Sequence, residues 1–254
     1  ENYNPDANWD DGSCLGYHNN GEFSLSFDGD GDYVSIADNN QLHSNTLTIS
    51  TWFKPVEYAH QVIAQKSWGD YHQHSWGIKW RTEASNGFYI SLADINNEGH
   101  QIYFPQVNLN EWHHVSATYD GSTMRGYLNG EEVGSQEGVF TIRYDDRPID
   151  IGRYLSENNP GEQFNGNIDN LELWSTALSQ EEIQANMYFD LTGNEEGLMG
   201  YWKFNAGTGE ILYDHSGNQN HGNINGAIWI ENIPGCTDPE ANNYNPEATE
   251  EDGS

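Results

Sequence analysis

Apolar and polar residues alternate with a period of two along much of this chain. Leu47, Ile49, Thr51 and Phe53 fall on one side of an extended segment, and Thr48, Ser50, Trp52 and Lys54 on the other, the spacing of a strand with one face in a core. The same alternation puts Phe88, Ile90 and Leu92 on one face of a second strand and Val115, Ala117 and Tyr119 on one face of a third. Asp28-Gly29, Asp120-Gly121 and Asn129-Gly130 punctuate these runs, and such pairs favour tight turns between antiparallel strands. The pattern predicts an all-β sandwich of short strands. One helix is expected, because Ser179 and Glu182 form a capping box ahead of Ile183 and Met187, which share a helical face.

Charge narrows the function classes. The 254 residues carry 9 Lys and Arg against 40 Asp and Glu, a formal net charge of −31. A nucleic-acid partner is excluded, since counterion release from phosphates needs a cationic surface. No apolar run approaches the ~18 residues of a bilayer span, so membrane insertion is not expected. The 9 Trp, 15 Tyr and 9 Phe supply the large buried areas that disordered acidic chains lack. The sequence starts at Glu1 without an apolar leader, so an export signal is expected upstream or already removed. An acidic, Lys-poor surface suits a salty extracellular medium that screens self-repulsion. Two Cys without a C-x-x-C pair disfavour zinc ribbons and thioredoxin-type centres.

Residues 2–13 align without gaps on residues 243–254, with eight of twelve positions identical. Cys14 follows the first copy, and Cys236 lies seven positions before the second. Each end reads as part of one Cys-bounded, Asp-rich spacer. The expected organisation is therefore a spacer half at 1–14, a sandwich at 15–233 and the start of a second spacer at 234–254. Cys14 and Cys236 are each expected to pair with a cysteine outside this segment; a bond between the two is the alternative. The partners expected from this layout are neighbouring copies or domains of the same polypeptide.

Several strings together resemble laminin-G-like and pentraxin-like domains: Ser26-Phe-Asp-Gly-Asp-Gly-Asp-Tyr-Val34, Leu47-Thr-Ile-Ser-Thr-Trp-Phe-Lys-Pro55, Trp112-His-His-Val-Ser-Ala-Thr-Tyr-Asp-Gly121, Tyr127-Leu-Asn-Gly130 and Gly166-Asn-Ile-Asp-Asn-Leu-Glu-Leu-Trp174. Glu196-Gly-Leu-Met-Gly-Tyr-Trp-Lys-Phe204 and Asp214-His-Ser-Gly-Asn-Gln-Asn-His-Gly222 are similar to the closing segment of bacterial members. The resemblance implies a concanavalin A-like jelly-roll sandwich of two antiparallel sheets. In it, Trp52, Trp112, Trp174, Trp202 and Trp229 are framework packing residues. The terminal spacers resemble Asp-rich repeats of large secreted bacterial surface proteins.

Glycosidases of this fold need two carboxylates about 5–5.5 Å apart for a retaining mechanism. The nearest string is Asn167-Ile-Asp169-Asn-Leu-Glu172, where an amide stands in the nucleophile's place. No enzyme is expected. Calcium is the expected cofactor, because hard cations take several oxygen ligands from turns. Three clusters offer them: Asp6, Asn8, Asp10 and Asp11; Asp28, Asp30 and Asp32; and the set implied by the pentraxin resemblance, Asp70 with Glu157, Asn158 and Glu162, on loops 66–75 and 153–163. Asp28-Gly29 can alternatively close a type I′ hairpin. Trp68, Tyr71, His72 and His74 form a dense aromatic and imidazole cluster beside Trp76 and Trp80. Aromatic plates beside polar groups suit the apolar faces and hydroxyl edges of a sugar, so a cell-surface glycan is the expected ligand at Trp68, Tyr71, His72 and His74, whereas Trp76 and Trp80 are expected in a strand. The leading expectation is a non-enzymatic extracellular adhesion module, one repeat of a bacterial surface adhesin or filament supported by calcium. The alternative is a carbohydrate-binding module that targets a secreted enzyme to polysaccharide.

Overall fold

The structure is a computed structural model and describes residues 23–66, 75–80, 87–154, 162–235 and 250–251. Two eight-stranded antiparallel sheets pack face to face, so the expected jelly-roll sandwich is observed. The first sheet runs β10 (Glu131–Glu137), β9 (Thr123–Leu128), β8 (His113–Tyr119), β3 (Leu47–Pro55), β12 (Asn165–Trp174), β1 (Phe23–Asp28) and β16 (Ile228–Glu231), and β13 (Leu198–Trp202) also pairs with β12. The second runs β14 (Ile211–Leu212), β15 (Gly222–Asn225), β2 (Tyr33–Ile36), β11 (Ile149–Ile151), β4 (Gln61–Lys66), β5 (Trp76–Trp80), β6 (Phe88–Ala93) and β7 (Gly99–Tyr103).

Alternation decides which side chains meet between the sheets. Leu47, Ile49 and Phe53 of β3 and Val115, Ala117 and Tyr119 of β8 face Trp76, Ile78 and Trp80 of β5 and Phe88, Ile90 and Leu92 of β6 in one buried cluster. Phe53 meets Trp80 and Phe88 edge-on, at ring-centroid distances of 6.4 and 5.4 Å, an arrangement that adds to simple burial. Trp76 and Trp80 are thus core residues. Asn129 and Gly130 both take positive φ, 51° and 79°, and close the β9–β10 hairpin, as the Asn-Gly pair requires.

Asp28-Gly29 behaves differently from a hairpin turn. β1 bonds to β12 and β16 in one sheet and β2 bonds to β11 and β15 in the other. The turn is therefore a crossover between sheets, made possible by positive φ at Gly29 and Gly31.

The helix α1 (Gln180–Asn186) has both capping-box bonds, from the Glu182 amide to the Ser179 hydroxyl and from the Ser179 amide to the Glu182 carboxylate. It lies on the outer face of the first sheet, where Gln184 donates to the Gly130 carbonyl at 3.0 Å. There Glu172 is buried and accepts from the Trp174 indole N–H at 2.9 Å and from Asn186. Burial pushes its carboxyl up to about 7. A carboxyl raised in the fold contributes stability that is complete below its unfolded value and lost as pH rises through the folded one. Glu172→Gln is expected to match the parent near pH 4 and to exceed it at pH 8 by a few kcal/mol; denaturation curves at the two pH values measure this, and an advantage that does not grow with pH would contradict it.

Candidate functional site

The strands that turn Trp76, Ile78, Phe88 and Ile90 inward turn polar residues outward. Strand registers place Asn223, Ser35, Asp150, Gln65, Gly77, Ser91 and Gln101 side by side in one row across seven strands of the second sheet. At the spacing of neighbouring strands, this row runs roughly 29 Å. The adjacent row carries Tyr33, Val62, Lys79, Tyr89 and Tyr103, with Lys79, Tyr89 and Tyr103 in register and Val62 opposite Lys79. Polar hydrogen-bonding groups therefore run beside a line of aromatic and cationic side chains.

Gln65 occupies the middle of the polar row. It is 1% exposed, and neither its amide oxygen nor its amide nitrogen has a hydrogen-bond partner. A buried unpaired amide costs about 1–3 kcal/mol, so the fold carries a penalty at this position. Beside it Asp150, 2% exposed, accepts from Arg153 Nη2 at 3.0 Å and from the Ser35 hydroxyl. Burial raises its carboxyl, with the Arg153 charge acting in the opposite direction. The Arg153 guanidinium lies over the Tyr33 ring, with Cζ 3.2 Å from its centroid, and Lys79 Nζ stands 5.0 Å from the centroid of Tyr154. Tyr103 presents an exposed ring at the β7 edge, 5.7 Å from that of Tyr89.

The acidic turn is organised by its own backbone. Asp28 accepts from the Asp30 amide at 2.7 Å, Asp32 accepts from the Asp28 amide at 2.9 Å, and the Gly31 amide donates to Gln163. Among the described residues no group of three or more His, Cys, Asp or Glu side chains is arranged to hold a metal ion. The Glu162 carbonyl accepts from the Tyr154 amide at 3.0 Å. Asp6, Asn8, Asp10, Asp11, Cys14, Trp68, Asp70, Tyr71, His72, His74, Glu157, Asn158 and Cys236 lie outside the described residues.

In the string Asn167 to Glu172, Asn170 takes a φ of 48° and the register shifts between Asp169 and Glu172. Asn167 donates to the Ser24 hydroxyl, and Glu172 is enclosed with Trp174. This string builds the sheet and its cover. Sequence reasoning missed the polar row. Its visible trace is Ser91 between Ile90 and Leu92 in β6 and Asp150 between Ile149 and Ile151 in β11.

Two packed antiparallel sheets of this strand order define a jelly-roll β-sandwich. The family profile described as the concanavalin A-like lectin/glucanases superfamily matches residues 28–184, and the chain belongs to this family. Mouse pappalysin-1 is 30% identical over 95 residues, which make up 35% of this chain and 5% of that protein; the chain thus corresponds to a small part of its relative's length. A putative carbohydrate-binding protein from Bacteroides ovatus superposes with a TM-score of 0.67 at 18% identity, over 82% of this chain and 59% of that one. The CBM40 of a Ruminococcus gnavus sialidase, bound to α2,3-sialyllactose, gives a TM-score of 0.51 at 15% identity, over 64% of this chain and 95% of that one.

Proposed function

We propose that the chain is a non-enzymatic carbohydrate-binding module that works outside the cell, with its glycan lying along the outer face of the second sheet. The observation that carries this reading is Gln65. A carboxamide supplies one acceptor and two donors, which match neighbouring sugar hydroxyls, and a bound glycan would satisfy groups that the protein leaves unpaired. The flanking rings of Tyr33 and Tyr103 offer surfaces for sugar C–H faces. Family membership and the carbohydrate-binding names among the structural relatives support the class of function. No helix among the described residues is long and apolar enough to cross a membrane, in keeping with a module that meets its ligand outside the cell.

Gln65→Met keeps the side chain's size and removes both unpaired polar ends. It is expected to lose at least tenfold in glycan affinity while holding or gaining stability by about 1–2 kcal/mol. A glycan array followed by titration of the best ligand, with melts of both proteins, provides the check. Undiminished binding by the variant would place the ligand elsewhere.

The matching sequences at 2–13 and 243–254 support a second, compatible reading, in which the module is one repeat of a surface adhesin or filament and meets neighbouring copies or domains. Calcium belongs to this reading, held by Asp6, Asn8, Asp10 and Asp11 or by Asp70, Glu157, Asn158 and Glu162. Linkage adds about 2.7 kcal/mol at an ion concentration one hundred times Kd. A chelator is then expected to lower the melting temperature, and an unchanged melt would remove calcium from the account.

A further inference from the structure

We infer that the saccharide taken by this face is acidic, carrying a carboxylate or sulfate group that is read by Arg153 and Lys79. The inference rests on the glycan-binding reading and names its ligand class. With 9 cations against 40 acids, most of this surface repels an anion, so the placement of each cation matters. Two of the nine, Lys79 at 4% exposure on β5 and Arg153 just beyond β11, lie on the strands to either side of β4. Val62 pairs with Lys79 on one side, and on the other the Gly152 amide bonds to the Ile63 carbonyl, bringing Arg153 alongside.

The surroundings orient both cations. Asp150 holds the Arg153 guanidinium through Nη2, and the Tyr33 ring lies beneath it. Its Nε–H is buried and has no acceptor. A guanidinium binds carboxylate and sulfate oxygens through a fixed fork of donors, and the Asp150 contact occupies only one arm of it. Lys79 lies along the sheet because position 77 is glycine: a Cβ there would run into the Lys79 side chain and stand 3.5 Å from Gln65 Cβ. The ammonium stem thus crosses the polar row at Gln65, the residue proposed to bond sugar hydroxyls. An oxyanion on the sugar ring would give Arg153 Nε the charged acceptor it lacks, within the same row.

The test is calorimetric titration of the intact chain with oligogalacturonate and its methyl ester, and with a sulfated galactan oligosaccharide and its desulfated parent. Each pair shares its sugar chain and differs at the anionic group. The expected result is at least tenfold tighter binding of one acidic member over its neutral partner, with a preference that weakens as sodium chloride rises. Arg153→Gln should abolish that preference and Lys79→Met should reduce it, in proteins whose melts show them folded. Preference for the carboxylate pair or the sulfate pair identifies the anion. Equal binding of charged and neutral partners, or a preference intact in both variants, would overturn the inference and leave the glycan reading standing. Absence of binding to these and to every glycan on the array would overturn both.

Discussion

Replacing Asp214 by alanine is expected to cost about 4 kcal/mol or more of stability, the largest loss from any single carboxylate among the described residues. Asp214 is fully buried, and its oxygens accept three backbone N–H groups: Tyr201 at 3.0 Å and Ser216 at 2.9 Å on Oδ1, and Asn220 at 2.9 Å on Oδ2. Its own amide donates to His221 Nδ1 at 3.0 Å, while the Trp202 indole donates to the Asn220 carbonyl at 2.8 Å and Asn218 donates to that of Met199 at 3.0 Å. The string from Asp214 to Gly222 is therefore a knot that fastens β13 to the chain leading into β15. Alanine would leave three buried donors without acceptors, at about 1–3 kcal/mol each. Asn should fall between, because its NH₂ would face the Asn220 amide. Urea denaturation of the three proteins measures the series, and a loss below about 1 kcal/mol for alanine would show that the knot does not hold the corner.

Lys66→Met is expected to cost about 3–5 kcal/mol, the range for breaking a buried ion pair by removing one partner. Lys66 is 0% exposed, and its ammonium bonds Asp38 at 2.7 Å, the Asp145 carbonyl at 2.9 Å and the Arg147 carbonyl. It gathers the segment after β2 and the segment before β11 onto the end of β4. His43 adds a second contact to Asp38 at 2.7 Å and stacks on Tyr144 with centroids 4.4 Å apart. Burial would raise the Asp38 carboxyl, but hydrogen bonds from Lys66 and His43 outweigh it and hold the group below its ordinary range. A depressed carboxyl contributes stability above its unfolded value and loses it as pH falls through the folded one. The gap between parent and Lys66→Met should accordingly narrow in acid, below about pH 4. Denaturation at pH 7 and pH 3 checks both the size and the direction; an equal gap at the two values would show that Asp38 is not the partner that matters.

Local signals carried the framework. Strands β3, β6 and β8 were legible because each keeps strict alternation, and α1 and the Asn129-Gly130 hairpin because capping and turn chemistry are written in adjacent residues. The crossover at Asp28-Gly29 was not, since a turn dipeptide does not say which sheet its second strand joins. β4 hides its faces: an irregularity in the register between Val62 and Ala64 breaks the alternation of Gln-Val-Ile-Ala-Gln-Lys, so Gln65 points outward and Lys66 inward. β11 is three residues long, too short to show a period. The polar row joins Ser35, Asp150, Gln65, Gly77 and Ser91, which are far apart in sequence and meet only through strand order. Sequence reasoning instead favoured the dense local cluster of Trp68, Tyr71, His72 and His74. That cluster lies outside the described residues.

The measurement that bears most directly on the central claim is residue-resolved mapping of a bound glycan on the isotopically labelled chain by amide chemical shifts. The probe is the best oligosaccharide from the array, added to saturation. The account predicts shifts at the side-chain amide of Gln65 and at the backbone amides of Gln65, Gly77, Ser91, Asp150 and Arg153, with the outer face of the first sheet unmoved. Shifts confined to that opposite face, around Trp52, His114 and α1, with Gln65 unchanged, would contradict it.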